Sequence, residues 1–233
     1  MLVAAAVVPV PPLLVPAIAG GTAGNDDDLR RACRAAIGRL LDAGPDEIVV
    51  VGAGPASGPV EGSWDWRGFG VVQPTPKPAT RLPLGLAIGS WLLDTQGAPS
   101  PPRRHYAVSP SLSPSACSAV GRDLAAGAQR IGLLVCGDGS ARRSDTAPGY
   151  LDPAAAPWDA RALAALRDAD PAGLLALEAE AGARLLAAGR APWQVLAGAA
   201  GHDAFQAHID WADAPYGVMY IAGTWTRTES TAR

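Results

Sequence analysis

The sequence predicts an α/β fold: a single three-layer domain over residues 1–233, with a mostly parallel central sheet, helices on both faces and a C-terminal antiparallel hairpin. Three observations carry that expectation. Apolar runs at Leu2 to Val8, Glu47 to Val51 and Ile131 to Cys136 read as strands buried on both faces. Stretches with helical caps and stops alternate with them, and no linker divides the chain. With 48% hydrophobic and 18% charged residues over 233 positions, there is enough apolar side chain for one sizeable core.

The elements follow in order. Prolines at 9, 11, 12 and 16 interrupt the opening apolar stretch, whereas a membrane-spanning helix needs roughly 20 unbroken apolar residues. No Lys or Arg precedes it, as a signal peptide would require. A buried strand and a loop are expected. A helix is predicted from about Asn25 to Asp42, capped by Asn25 or Asp26, with acidic residues 26–28 at its positive end and Gly44-Pro45 as its stop. The strand ending at Val51 closes on Gly52-Ala53-Gly54-Pro55. Residues 52–81, rich in Gly, Pro and Trp, read as a long irregular excursion. A short helix over Pro83 to Leu93, a strand over Arg104 to Ser109, a helix over Pro114 to Gly127 and the strand Ile131 to Cys136 come next. Residues 137–153 are loop. Two Ala/Leu-rich helices are predicted at about 159–168 and 171–188, the second with Asp170 as cap and Pro171 as first residue. A short helix near Trp193 to Ala200 precedes a tail in which Ala204, Gln206, His208 and Asp210 alternate with Phe205, Ala207, Ile209 and Trp211. After a turn at 213–217, Val218 to Trp225 completes a two-strand pattern.

Composition excludes some functions. Net charge is −3 and Lys77 is the only lysine among 19 basic residues, with no basic run, so no nucleic-acid footprint is expected. Cys33, Cys117 and Cys136 are dispersed, which fits a reducing cytoplasm and gives no zinc-ligand spacing.

The segment Val7-Val8-Pro9-Val10-Pro11-Pro12-Leu13-Leu14 turns an apolar strand into a proline-fixed loop. It resembles the opening of the class III extradiol ring-cleavage dioxygenases (LigB type) and their Memo-like relatives. In that family a Pro-His-Pro-Pro turn supplies the first ligand of a non-haem ferrous iron; Val10 stands at that histidine. Val49 to Pro55 resembles the family's strand followed by Ser-Pro-His, which puts the second ligand position at about Pro55. Cys136-Gly137-Asp138-Gly139-Ser140-Ala141 resembles the Gly-Asp-x-Ser-His turn of the catalytic base, with Ala141 in place of the histidine and Asp138 and Ser140 matching. Ala188-Gly189-Arg190 is similar to the turn that carries a ligand Glu, or the Cys of a Memo-like Cys-Gly-Arg turn, with Ala188 at the ligand. The likeness extends to Tyr216-Gly217-Val218. A ferrous dioxygenase site needs two imidazoles and a carboxylate, plus a base, on loops at the carboxyl ends of strands. The resemblance therefore implies a degenerate metal site: no Fe2+, no other cofactor, and a non-catalytic small-molecule-binding or interaction protein. It also implies a homodimer.

Other residues offer alternatives. His202 and His208 are six residues apart, roughly 20 Å along a strand at ~3.3 Å per residue, too far to share one ion at about 2.1 Å from each. His208 reads as a solvated sheet face, His202 as a turn or a ligand, and His105 as part of a basic strand edge. The segment Asp138 to Asp145 crowds Asp138, Ser140, Arg142, Arg143 and Asp145 into one loop. It can bind a small anion through its arginine forks, act as a metal-free catalyst, or satisfy itself with Asp138 on backbone N–H groups and the arginines on Asp145. A Ser140–His202–Asp203 triad lacks a Gly-x-Ser-x-Gly elbow. Gly52 to Gly58 lacks a Walker lysine. Among seven tryptophans, Trp64 and Trp66 sit with Phe69 in the excursion, where they line a pocket for a flat aromatic ligand or pin the loop to the body. The candidate pocket comprises Val10, Pro55, Trp64, Trp66, Asp138, Ser140, Arg142 and Arg190. An active extradiol dioxygenase with ligands from unexpected positions is the competing enzyme reading.

Overall fold

A computed structural model describes residues 1–20, 25–73, 77–97, 99–127 and 129–228, without the side chains of Asn25 and Asp26; the cap assigned to Asn25 or Asp26 lies outside these described groups. In chain order the elements are β1 (Leu2–Val8), α1 (Pro16–Ala19), α2 (Asn25–Asp42), β2 (Glu47–Ala53), β3 (Gly58–Val60), α3 (Leu84–Asp94), β4 (Arg103–Val108), α4 (Pro114–Leu124), β5 (Ile131–Cys136), α5 (Ala155–Arg167), α6 (Pro171–Leu175), α7 (Ala179–Arg184), α8 (Arg190–Ala200), β6 (Phe205–Asp213) and β7 (Tyr220–Arg227). Single 3-10 turns occupy Pro12–Leu14 and Arg67–Phe69.

One seven-stranded sheet joins all the strands in the order β3-β4-β2-β5-β1-β7-β6. The central four, β4, β2, β5 and β1, are parallel. Strand β3 pairs antiparallel with β4, β7 with β1, and β6 with β7. This is the mostly parallel α/β sheet with a C-terminal hairpin that the sequence predicts. Alternation along the buried strands feeds two cores: Ile48 and Val50 of β2 point into one, Val49 and Val51 into the other. Helices α2 and α3 cover the first face; α4, α5, α6 and α8 cover the second. Gly121 and Gly198 remove the side chains that would hold the α4 and α8 backbones apart.

Three details depart from expectation. The helix predicted over 171–188 is broken into α6 and α7, because the Gln194 amide donates to the carbonyls of Leu174 and Leu177 at 3.0 and 2.7 Å and takes acceptors that a continuous helix would use. Asp170 occupies the N-cap of α6, with Pro171 first in the helix, but makes no side-chain cap bond. Within the 52–81 excursion, Gly58–Val60 adds an edge strand on β4. Among the described residues no helix is long and apolar enough to cross a membrane.

Candidate functional site

Parallel strands end together, so the loops leaving β1, β2 and β5 meet at one edge of the sheet. Backbone hydrogen bonds tie these loops to each other. Gly137 N–H donates to Val8 O at 3.0 Å, Gly189 N–H to Asp138 O at 2.7 Å, and Ala141 N–H to Leu185 O at 3.0 Å. The approach is close enough to require glycine twice. A Cβ on Gly137 would lie 2.5 Å from Gly189 Cα, and one on Gly189 would lie 2.5 Å from the Trp193 ring.

Between the loops is a cleft of about 380 Å³. Its walls include Val10, Ala53, Leu84, Ala141, Ala188 and Val218, with Asp138, Cys136 and Tyr220 as its titratable groups. Three positions marked by the family resemblance, Val10, Ala141 and Ala188, thus face one space although they are far apart in sequence. Pro55 does not. Gly54 N–H donates to Val108 O at 3.0 Å, which carries the chain on toward β4 and leaves Pro55 exposed, so Ala53 forms that part of the wall.

Asp138 is partly exposed into the cleft, and its Oδ1 accepts the Val10 N–H at 2.8 Å. Burial pushes its carboxyl up from 3.8 to about 7, with the Val10 hydrogen bond pulling the other way. Burial likewise raises the Cys136 thiol far above its ordinary value.

Apart from Ala141, the rest of the Asp138 to Asp145 loop does not line the cleft. Ser140 is fully buried; its N–H donates to Asp159 Oδ1 at 2.8 Å and its hydroxyl to Asp159 Oδ2 at 2.6 Å. Arg143 adds a 3.1 Å bond to the same carboxylate. Burial raises the Asp159 carboxyl, opposed first by the Ser140 bonds and then by Arg143. Arg142 donates to Arg184 O at 3.0 Å and lies 3.9 Å from Asp152. The loop is held from outside, by Asp159, Asp152 and Arg184 O, with Arg142 Nε left without a partner among the described residues; the exposed Asp145 expected as partner is not used. Asp159 carried no sequence signal beyond being an acidic residue at a helix start.

Arg190 is buried and bonds to Leu112 O at 2.7 Å, Gln194 Oε1 at 2.8 Å and Pro110 O, so it is a brace for the β4–α4 loop and does not line the cleft. Trp64 and Trp66 stack at 5.6 Å, Trp64 Nε1 donates to Asp94 at 2.8 Å, and Trp66 packs into the core beneath the excursion. They pin the loop; they do not line the cleft. The Ser140–His202–Asp203 triad is not assembled. Asp203 pairs with Arg227 at 2.8 Å, and His202 follows α8, a helix of 11 residues whose other end meets the cleft, roughly 16 Å away at 1.5 Å per residue. His105 bonds Ser90 at 2.7 Å, and burial lowers its imidazole. His208 lies 3.4 Å from Asp210 on an exposed face.

Leu84, Leu186 and Tyr220 joined the cleft without a motif to mark them. Leu186 is 52% exposed and has φ +57°, a left-handed conformation rare for leucine. With Ala188 it also faces a neighbouring apolar cavity of about 320 Å³ beside Gly182 and Arg190.

The donors on the cleft walls do not fit a ferrous centre. Among the described residues they amount to one carboxyl, one buried thiol and one phenol, with no imidazole, and no group of three His, Cys, Asp or Glu side chains is placed to hold a metal.

No protein-family model matches the chain, and no curated protein does. Among solved structures, the chain is similar to the uncharacterized protein JW3007 from Escherichia coli K12, with a TM-score of 0.56 and 17% identity over 95% of this chain and 99% of that one. At that identity the likeness concerns the fold.

Proposed function

We propose that the chain is a class III extradiol dioxygenase-like protein that has lost its iron ligands and catalytic base and uses the remaining cleft to bind a small molecule without turning it over. One observation carries this reading: Val10, Ala141 and Ala188 line a single cleft at the carboxyl ends of the parallel strands, and none has a donor atom on its side chain. Four loops still converge as a coordination sphere would need, around walls that suit an apolar ligand body. Three free, buried cysteines accord with a cytoplasmic setting, and a homodimer is what the resemblance suggests.

Freshly purified, untagged protein is expected to contain less than stoichiometric iron and to consume no oxygen with a panel of catechols. Stoichiometric iron together with ring cleavage would overturn the proposal.

A second reading rests on Asp138. A carboxyl held at about 7 on a cleft wall is suited to general acid–base work near neutral pH without a metal. Turnover of any cleft ligand that is abolished by Asp138→Asn would favour it.

A further inference from the structure

The polar content of the cleft is one-sided. Asp138 Oδ1 is held by the Val10 N–H, and among the described residues its Oδ2 has no hydrogen-bond partner. Among the described residues no Arg, Lys or His lines the cleft. The arginines that follow in sequence are committed elsewhere, Arg143 to Asp159 and Arg142 to Arg184 O and Asp152. Around the carboxyl lie the Cys33 thiol from α2 and the Cys136 thiol from β5, both held protonated by burial, and the Tyr220 phenol from β7. A largely desolvated carboxylate that meets no cationic side chain among the described residues is costly to the protein alone, and a ligand that brings the countercharge recovers that cost on binding.

We propose that the ligand of this cleft is a compact organic cation, an amine with an apolar body, whose ammonium pairs with Asp138 Oδ2 while its body packs against Val10, Leu84, Ala141 and Ala188. This rests on the reading of the cleft as a ligand site and adds the ligand's charge and shape. A space of about 380 Å³ corresponds to roughly a dozen waters at ~30 Å³ each, room for a one-ring molecule. An anion of the same size meets the carboxylate with no arginine to offset it. A neutral isostere fills the apolar walls and leaves the carboxylate unpaired. The high proton affinity of the Asp138 carboxyl agrees, since a group waiting for a cation takes a proton in its absence.

Calorimetric titration of the whole chain at about pH 8 with benzylamine, benzyl alcohol and benzoate tests this, using wild type, Asp138→Asn and the cleft-filling Ala188→Phe. Benzylamine is expected to bind at least about tenfold tighter than benzyl alcohol, with benzoate weakest. Asp138→Asn is expected to remove that preference, and Ala188→Phe to remove binding of both. An amine advantage below about threefold in wild type, or one that survives Asp138→Asn, overturns the cation proposal. If the probes still lose affinity in Ala188→Phe, the cleft reading stands in that case. If none binds wild type, both fall. The wild-type comparison needs no variant, so misfolding of either substitution cannot mask the result.

Discussion

Asp138 holds its proton far more tightly in the folded protein than a free aspartate does, and this has a definite sign. Its folded value of about 7 exceeds the ordinary 3.8, so between those limits the folded state binds more protons than the unfolded one. The contribution of this group to stability is therefore greatest at low pH and is lost as pH rises through about 7. Asp138→Asn keeps an acceptor for the Val10 N–H. Its melting temperature is expected to match wild type near pH 4 and exceed it near pH 8, a gap that opens through the window between. Parallel melting curves across that range would show that the carboxyl is not perturbed. The glycines beside it are equally specific. Gly137→Ala forces a methyl to within 2.5 Å of Gly189 Cα, backbone against backbone, and should cost about 1–3 kcal/mol in denaturant unfolding. Asp138 was legible as a turn residue in a recognisable loop. Its exposure to an apolar cleft was not, because that depends on Leu84 of α3, Leu186 of the turn after α7 and Tyr220 of β7.

At the scale of elements, the loop between β5 and α5 shows how a good local argument can choose the wrong partner. Ser140, Arg142, Arg143 and Asp145 contain enough complementary groups to close on themselves. The structure closes Ser140 and Arg143 on α5 instead, where Asp159 gathers two bonds from Ser140 and one from Arg143, while Arg142 goes to Arg184 O and Asp152. Asp159→Ala leaves a buried hydroxyl, a buried N–H and a guanidinium without their acceptor, and a loss of about 3 kcal/mol or more is expected by urea titration. A change below about 1 kcal/mol would mean that the loop is held by its backbone bonds alone. The break between α6 and α7 has a similar origin. Ala and Leu continue at helical spacing through 171–188, so periodicity predicts one helix; the interruption comes from Gln194, on a different helix, capturing the carbonyls of Leu174 and Leu177. Strands were easier to read, since Leu2 to Val8, Ile48 to Val51 and Ile131 to Cys136 are buried on both faces and carry that fact in their composition.

For the whole molecule, the decisive feature is that the same strands serve both cores. Val49 and Val50 are neighbours in sequence and belong to opposite layers, so neither helical layer can be stripped away without exposing the back of the other's sheet. Thermal unfolding followed by tryptophan fluorescence, which reports Trp158, Trp193 and Trp225 in one layer and Trp66 in the other, is expected to coincide with loss of far-UV dichroism. Two separated transitions would show that one layer detaches first. The strand order could not be deduced from the apolar runs, because β5 inserts between β2 and β1 and buried strands carry no label for their neighbours.

Leu186 has a further consequence. It keeps a left-handed backbone, at a cost of roughly 1 kcal/mol relative to glycine, and faces both the cleft and the smaller cavity beside Gly182. On the proposed reading of the cleft as a ligand site, the leucine stands between the two spaces and would set how long a guest can be. Leu186→Gly should relax the main chain while opening one chamber into the next, and the preferred guest should lengthen from a single ring to a ring with a tail. The ceiling on ligand length would then be written in one strained side chain.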